Sequence, residues 1–282
     1  MQRLSVPARF NYYIAHVFYY INQADYPSLL DCALEQWAFA SALPNCYDSY
    51  ANMFYGNWTN IVLSAVYAER WDVLEEYYQK LKTLLPTLPR TMPFEQILDD
   101  TGEYARLVML YKQGHTGSDI EQQMRTCEQV LEKYPTTLAP LRRAQFNYFL
   151  ALLENQQGNN DNALQRLHPY TQGGKRGITF ALEVAMHFLL LHLHRQRRAF
   201  KYLRYATRRC YRWYRQRATM SRLERRFLRL MLRYAEQAPK NKIRRQIDKI
   251  QELLRSPHPD DQDKNTHLKE LLFYCPLQLW LQ

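Results

Sequence analysis

The sequence predicts an all-α protein, an α-solenoid of about five antiparallel helix pairs with extra C-terminal helices. Three observations lead there. Only 8 of 282 residues are glycine, which disfavours the tight hairpins and frequent turns of an all-β fold and the Gly-rich loops that cradle phosphates. Five short segments resemble one another: QADYPSLLDC at 23, AERWDVLEEY at 68, GHTGSDIEQQM at 114, GNNDNALQRL at 158 and HRQRRAFKYL at 194. Each follows a long apolar-periodic stretch and opens a shorter one, as two antiparallel helices joined by a tight turn should. Finally, prolines stand after several of the second stretches (SALPNC, TLLPTLPRTMP, EKYPTT), where a residue without an amide proton stops a helix.

Taking Leu29, Leu74, Ile120, Leu164 and Phe200 as equivalent points, the intervals are 45, 46, 44 and 36 residues. A period of that length belongs to stacked helix pairs. The pairs fall at 8–43, 49–86, 93–134, 140–169 and 177–217, followed by helices at 219–237, 240–255 and 265–280. Asp25, Asp72, Asp119 and Asn159 to Asp161 stand where side chains can accept from the free amides of the next helix start. The organisation expected is a helical-repeat solenoid over 1–255, with a basic part at 195–255. A polar linker follows at 256–264, then an apolar C-terminal helix at 265–282 that caps the stack or docks elsewhere.

The segments GNNDNALQRL and AERWDVLEEYYQKL resemble the junction between the two helices of a tetratricopeptide repeat, where a small residue closes the turn and an apolar one opens the second helix. The resemblance spans residues 8–217 and extends to the long-repeat tetratricopeptide-like proteins of Bacteroidota. It implies a right-handed solenoid with a concave groove that binds other macromolecules, and no chemistry.

Bulk composition narrows the class further. With 46% hydrophobic residues and 22 tyrosines the chain is globular. It holds no run of about 18 apolar residues that would span a membrane, and its N-terminal apolar run is broken by Asn11, His16 and Asn22, unlike a signal peptide. Cys32, Cys46, Cys127, Cys210 and Cys275 are scattered and never paired as CxxC. That pattern predicts reduced thiols in a cytoplasmic protein.

Charge is the strongest functional signal. The net charge is +11, yet residues 195–255 hold 21 Lys/Arg against 4 Asp/Glu while the rest holds 17 against 23. At 100° per residue, Arg197, Lys201, Arg204, Arg208, Arg212 and Arg215 share a stripe about 80° wide. Ala199, Leu203, Ala206, Cys210 and Trp213 lie opposite it. The next helix repeats the design, with Arg222, Arg225, Arg226, Arg229 and Arg233 against Leu223, Phe227, Leu230, Met231 and Tyr234. Like charges at four-residue spacing destabilise a helix, so this tolerance predicts an anionic partner. A competing expectation is that the arginines pair with the chain's own acids, such as Glu75, Glu76, Asp99 or Asp100.

Two partner classes are expected. An acidic protein or peptide partner would be held by the arginines and by groove residues such as Asn57, Asn60 and Asn147. Alternatively, nucleic acid would place phosphates on the arginines and stack bases on Tyr202, Tyr205, Tyr211 or Tyr214. Peripheral binding to an anionic membrane surface is a weaker third reading. No catalytic residues, cofactor or metal are expected. His187, His192 and His194 lie among leucines without HExxH spacing, and TQGGKRG at 171–177 lacks the phosphate-loop pattern. Asp99, Asp100 and Glu103 are expected in an acidic first helical turn.

Overall fold

The computed structural model describes residues 5–44, 49–88, 94–171, 177–217, 220–255 and 265–281. The described residues are helical and turn, with no strand among them. The expected linker at 256–264, Cys46, and Lys175 and Arg176 of the glycine-containing stretch lie outside the described residues. The chain forms two compact units, Met1–Phe149 and Leu150–Gln282.

The first unit contains α1 (Val6–Gln23), α2 (Tyr26–Ser41), α3 (Ala51–Tyr67), α4 (Trp71–Leu84), α5 (Phe94–Ile97), α6 (Glu103–Lys112) and α7 (Ser118–Lys133). The division between units falls within α8 (Pro140–Gln156). The second unit continues with α9 (Asn160–Thr171), α10 (Phe180–Gln196), α11 (Phe200–Arg217), α12 (Arg222–Ala235), α13 (Lys240–Arg255), α14 (Asn265–Tyr274) and α15 (Leu277–Trp280). Successive helices pack on one another: α1 on α2, α2 on α3, α3 on α4 and α6 on α7 in the first unit, and α9 on α10 through to α12 on α13 in the second.

A single turn design joins the members of successive pairs. Ala24, Glu69, Gly114, Gly158, Arg198 and Gln237 all take a left-handed backbone, with φ between 50° and 81°. At each turn the next residue's N–H reaches back to a carbonyl five positions earlier: Asp25 to Tyr20, Arg70 to Ala65, His115 to Leu110, Asn159 to Glu154, Ala199 to His194 and Ala238 to Arg233, at 2.8–3.0 Å. The left-handed residue's own N–H bonds three back, as Ala24 does to Ile21 and Arg198 to Arg195. These are Schellman closures, which satisfy the orphan carbonyls of a helix end and reverse the chain. Five lie in the repeated segments of the sequence. The turn at Gln237 is a further copy that the sequence comparison missed, because its flanks, RYAEQAPKNK, share only the geometry.

The expected N-caps hold in part. Asp25 accepts from the Ser28 N–H at 3.2 Å. Asp72 instead lies inside the first turn of α4 and takes a bidentate bond from Arg70, and α7 is preceded by Gly117. The segment expected as one helix from 93 is interrupted by a π-helical turn at Leu98–Gly102. Gly102 there faces the Tyr78 ring, where an added Cβ would come within 3.1 Å. Asp99 and Asp100 therefore occupy this mid-helix turn rather than an acidic helix start.

In the first unit the core is aromatic. Trp37 lies tilted against Phe54 with centroids 4.1 Å apart, and the Trp58 indole donates to the Tyr77 carbonyl at 2.9 Å. In the second unit α10 is the hub. It touches α9, α11, α12 and α14, and Ala181 through Leu189, Leu191, His192 and Leu193 are all buried. A helix apolar on every side is one that is covered on every side. The C-terminal segment contributes to that cover, with the Trp280 ring stacked on His192 at 4.9 Å and also near Phe227.

Candidate anion-binding surface

α11 and α12 bury the faces the sequence assigns to packing. Leu203, Cys210, Leu223, Phe227, Leu230 and Met231 are buried. Trp213 is half-buried and stacked on Phe180 at 5.5 Å, whereas Tyr214, expected at the packing edge, is fully buried. The opposite faces carry the cations. Lys201, Arg204, Arg208, Arg212, Arg215, Arg222, Arg225, Arg229 and Arg233 are exposed on them and Arg226 is half-buried, whereas Arg197, expected on the same helical stripe, is exposed in the turn between α10 and α11, because the chain reverses there.

Among the described residues, ion pairs at helix ends take Arg197 and Arg233, and Arg222 is not free either. Arg197 meets Asp161 at 2.6 Å, and Arg233 meets Glu236 at 3.4 Å. Among the described residues, Lys201, Arg204, Arg208, Arg212, Arg215, Arg225, Arg226 and Arg229 make no ion pair. Their one acidic neighbour in sequence, Glu224, is 1% exposed and engaged inside the protein. It accepts from the Ser221 N–H at 2.7 Å while the Ser221 hydroxyl accepts from the Glu224 N–H, a capping box at the start of α12. The buried Tyr214 hydroxyl also donates to Glu224.

The acids proposed as internal partners are engaged elsewhere. Glu75 lies 3.9 Å from Arg106 and Glu76 lies 2.5 Å from Lys80. Asp99 takes Lys133 at 2.8 Å, and Asp100 takes Arg142 at 2.9 Å. Glu103 is buried, accepting from the Tyr78 hydroxyl and from Gln123. All of these partners belong to the first unit.

The two arginine rows have different neighbours. Arg222, Arg225, Arg226 and Arg229 line a cleft of about 600 Å³ with Lys249, Glu252 and Leu253 of α13. Lys201 borders a second cleft, of about 570 Å³, between α9, α10 and α11, together with Tyr202, Tyr205 and Arg209. Arg209 and Lys249 escape the stripe criterion. Arg209 lies off the 80° band, and Lys249 is on a later helix whose proximity the sequence does not encode locally.

The tyrosines divide as well. Tyr202 and Tyr205 are 66% and 62% exposed. Tyr211 is half-buried, and Tyr214 is removed from any surface role. Of the expected groove asparagines, Asn57 is buried in the first unit at 2% exposure, so it contacts no external ligand. Asn60 and Asn147 are half-buried.

The histidines of α10 are packing groups with depressed basicity. Burial holds His187 down to about 4, assisted by Arg209 and Arg217. Burial first, then Arg195, holds His192 down to about 3. Glu183 is raised by burial, partly countered by Arg217, which reaches it at 2.7 Å. Among the described residues no three His, Cys, Asp or Glu side chains converge to hold a metal ion. No helix among them is long and apolar enough to cross a membrane.

The fold thus defines a helical protein of repeated helix–turn–helix units with a cationic second unit. No protein-family model matches this chain, and neither the curated proteins nor the solved structures contain a match to it.

Proposed function

We propose that the protein is a non-enzymatic, tetratricopeptide-like α-solenoid of the cytoplasm that acts as an adaptor, capturing an acidic segment of a protein partner on its C-terminal arginines. One observation carries this reading. The only carboxylate within the arginine-rich stretch 200–235, Glu224, is buried and internally bonded, so the guanidinium groups of Arg204, Arg208, Arg212, Arg215, Arg225 and Arg229 are left for an external anion. Arginine's planar fork suits carboxylates held bidentately. In the α12–α13 cleft, Leu253 offers an apolar contact and Glu252 an acceptor, a mixture suited to a peptide with acidic and apolar side chains.

A second reading rests on a different observation. Tyr202 and Tyr205 present largely bare rings beside Lys201 and Arg209, the combination that stacks and neutralises a single-stranded nucleic acid.

Fluorescence anisotropy separates the two. A labelled Glu/Leu-rich peptide and labelled single-stranded RNA are titrated at several salt concentrations against the wild type and the variant Arg225→Gln/Arg226→Gln/Arg229→Gln. The adaptor reading expects the peptide to bind at physiological salt and the variant to lose that binding at least about tenfold, the scale of a lost charged hydrogen bond. Tight RNA binding with a steep log-salt slope, and none of the peptide, would replace it with the nucleic-acid reading.

A further inference from the structure

The cleft between α9, α10 and α11 is chemically unlike the arginine rows. Leu164 on α9, Leu190 on α10 and Ala206 on α11 give it an apolar wall, beside His168 and Thr171 of α9. Two tyrosines stand at one side with about two-thirds of their surface bare. The Tyr202 ring lies nearly parallel to the His194 imidazole, at 6.1 Å and 17°, so the aromatic surface continues from the rim inward. Bare aromatic faces of this size are costly in water and gain by accepting a flat partner.

The charges are segregated within the cleft. His187 and His194 border it, and burial lowers both, His187 to about 4. His187 is therefore neutral at pH 7, and His194 is held below its ordinary value. Lys201 and Arg209 line it as well, and neither has an acidic partner among the described residues. No Asp or Glu among the described residues lines the cleft. At about 570 Å³ it falls within the size range of small-molecule sites, which runs from about 300 to 1,000 Å³ and pairs apolar walls with a few placed polar groups.

We infer that this cleft binds a small amphipathic anion, a molecule with a flat apolar or aromatic body and one acidic group. The body lies against Tyr202, Tyr205 and the Leu164–Leu190 wall, and the acidic group meets Lys201 and Arg209. The buried, neutral His187 imidazole accepts an apolar body that an imidazolium ion would repel through its hydration. The argument is independent of the adaptor reading, although Lys201 also belongs to the arginine stripe of α11.

The probe is 1-anilinonaphthalene-8-sulfonate, an aromatic sulfonate whose fluorescence rises on leaving water, with neutral N-phenyl-1-naphthylamine as its uncharged counterpart. The full chain is expected to bind the sulfonate at one saturable site and the neutral amine at least about tenfold more weakly, the value of one charged contact. Lys201→Ala/Arg209→Ala should weaken the sulfonate to the level of the amine. Tyr202→Ala/Tyr205→Ala, at exposed positions that leave the fold intact by circular dichroism, should weaken both probes. Arg225→Gln/Arg229→Gln, on the other cleft, should change neither. Equal affinity for the two probes, sulfonate binding indifferent to the Lys201/Arg209 and Tyr202/Tyr205 variants, or no saturable binding would each overturn the proposal.

Discussion

Glu224 shows how one side chain can set the electrostatics of a surface without being on it. In a stretch so rich in arginine, a lone acid would be read as a neutralising partner. The structure instead uses it to close the start of α12 through Ser221 and to satisfy the buried Tyr214 hydroxyl. Glu224→Ala strands that hydroxyl and the Ser221 amide away from water. It is expected to cost about 3 kcal/mol of unfolding free energy in urea, within the range for orphaned buried polar groups. A loss below about 1 kcal/mol would mean that water reaches these groups.

His187 and His192 act at the same scale in the opposite sense. Their folded pKa values lie below the ordinary value of 6.5, at about 4 and about 3. Above pH 6.5 both states are neutral and stability is full. As pH falls from 6.5 toward 4 the unfolded chain takes up protons that the folded chain refuses, so stability drops by up to about 1.4 kcal/mol per pH unit for each histidine. His192→Gln should flatten that part of a stability-against-pH curve measured by chemical denaturation. An unchanged slope would show that this imidazole titrates normally in the fold.

Among the elements, the repeated turn is the feature most open to manipulation. Two of its six left-handed positions are glycine, Gly114 and Gly158, while Glu69, Arg198 and Gln237 hold the same conformation with a side chain. An L-residue with a Cβ is strained there by about 1 kcal/mol. Glu69→Gly and Gln237→Gly are each expected to stabilise by about 0.5–1 kcal/mol, read as a rise in thermal midpoint. Destabilisation would mean that the side chains make compensating contacts. The arginine stripe of α11 yields a paired expectation. Replacing Arg208 by Glu relieves repulsion from Arg204 and Arg212 at four-residue spacing, raising stability by a few tenths of a kcal/mol, while weakening capture of the acidic peptide. An element kept for solubility alone would gain stability and lose no binding.

The C-terminal segment is an element whose role depends on where it lands. Leu271, Tyr274, Leu277 and Trp280 are buried, and Trp280 covers His192. Trp280→Ala is expected to cost about 3–5 kcal/mol, as for other buried tryptophans, and to bring forward the unfolding of the second unit in limited proteolysis. A wild-type proteolysis pattern would show that α10 keeps its cover without this ring.

For the whole molecule, the arrangement of charge follows from who neutralises whom. The first unit pairs its acids with its own bases: Glu75 with Arg106, Asp99 with Lys133, Asp100 with Arg142. The second unit has few acids to offer, and Glu183, Asp161, Glu236 and Asp248 are taken by Arg217, Arg197, Arg233 and Arg244. The surplus is therefore cationic and local to 195–255, and its attraction for an anion should weaken with salt over a Debye length of about 10 Å at 0.1 M.

What the sequence determined by itself was everything that depends on near neighbours along the chain. Helical periodicity, proline stops and the recurrence of segments such as GNNDNALQRL placed the paired helices, because a turn closed within a few residues leaves its mark in those residues. The two-faced character of 200–233 was legible for the same reason, since a helix face is fixed by three- and four-residue spacing. Tertiary structure decided what depends on partners far apart in sequence: that Glu224 is withdrawn from its arginines by Tyr214, that α10 becomes the hub of its unit once α14 covers it, and that Lys249 faces the α12 arginines. It also joined Tyr205 and Arg209 to His187 and Leu164 around one cleft. Such groupings are set by how helices pack side by side, and the spacing within any one helix carries no record of its neighbour.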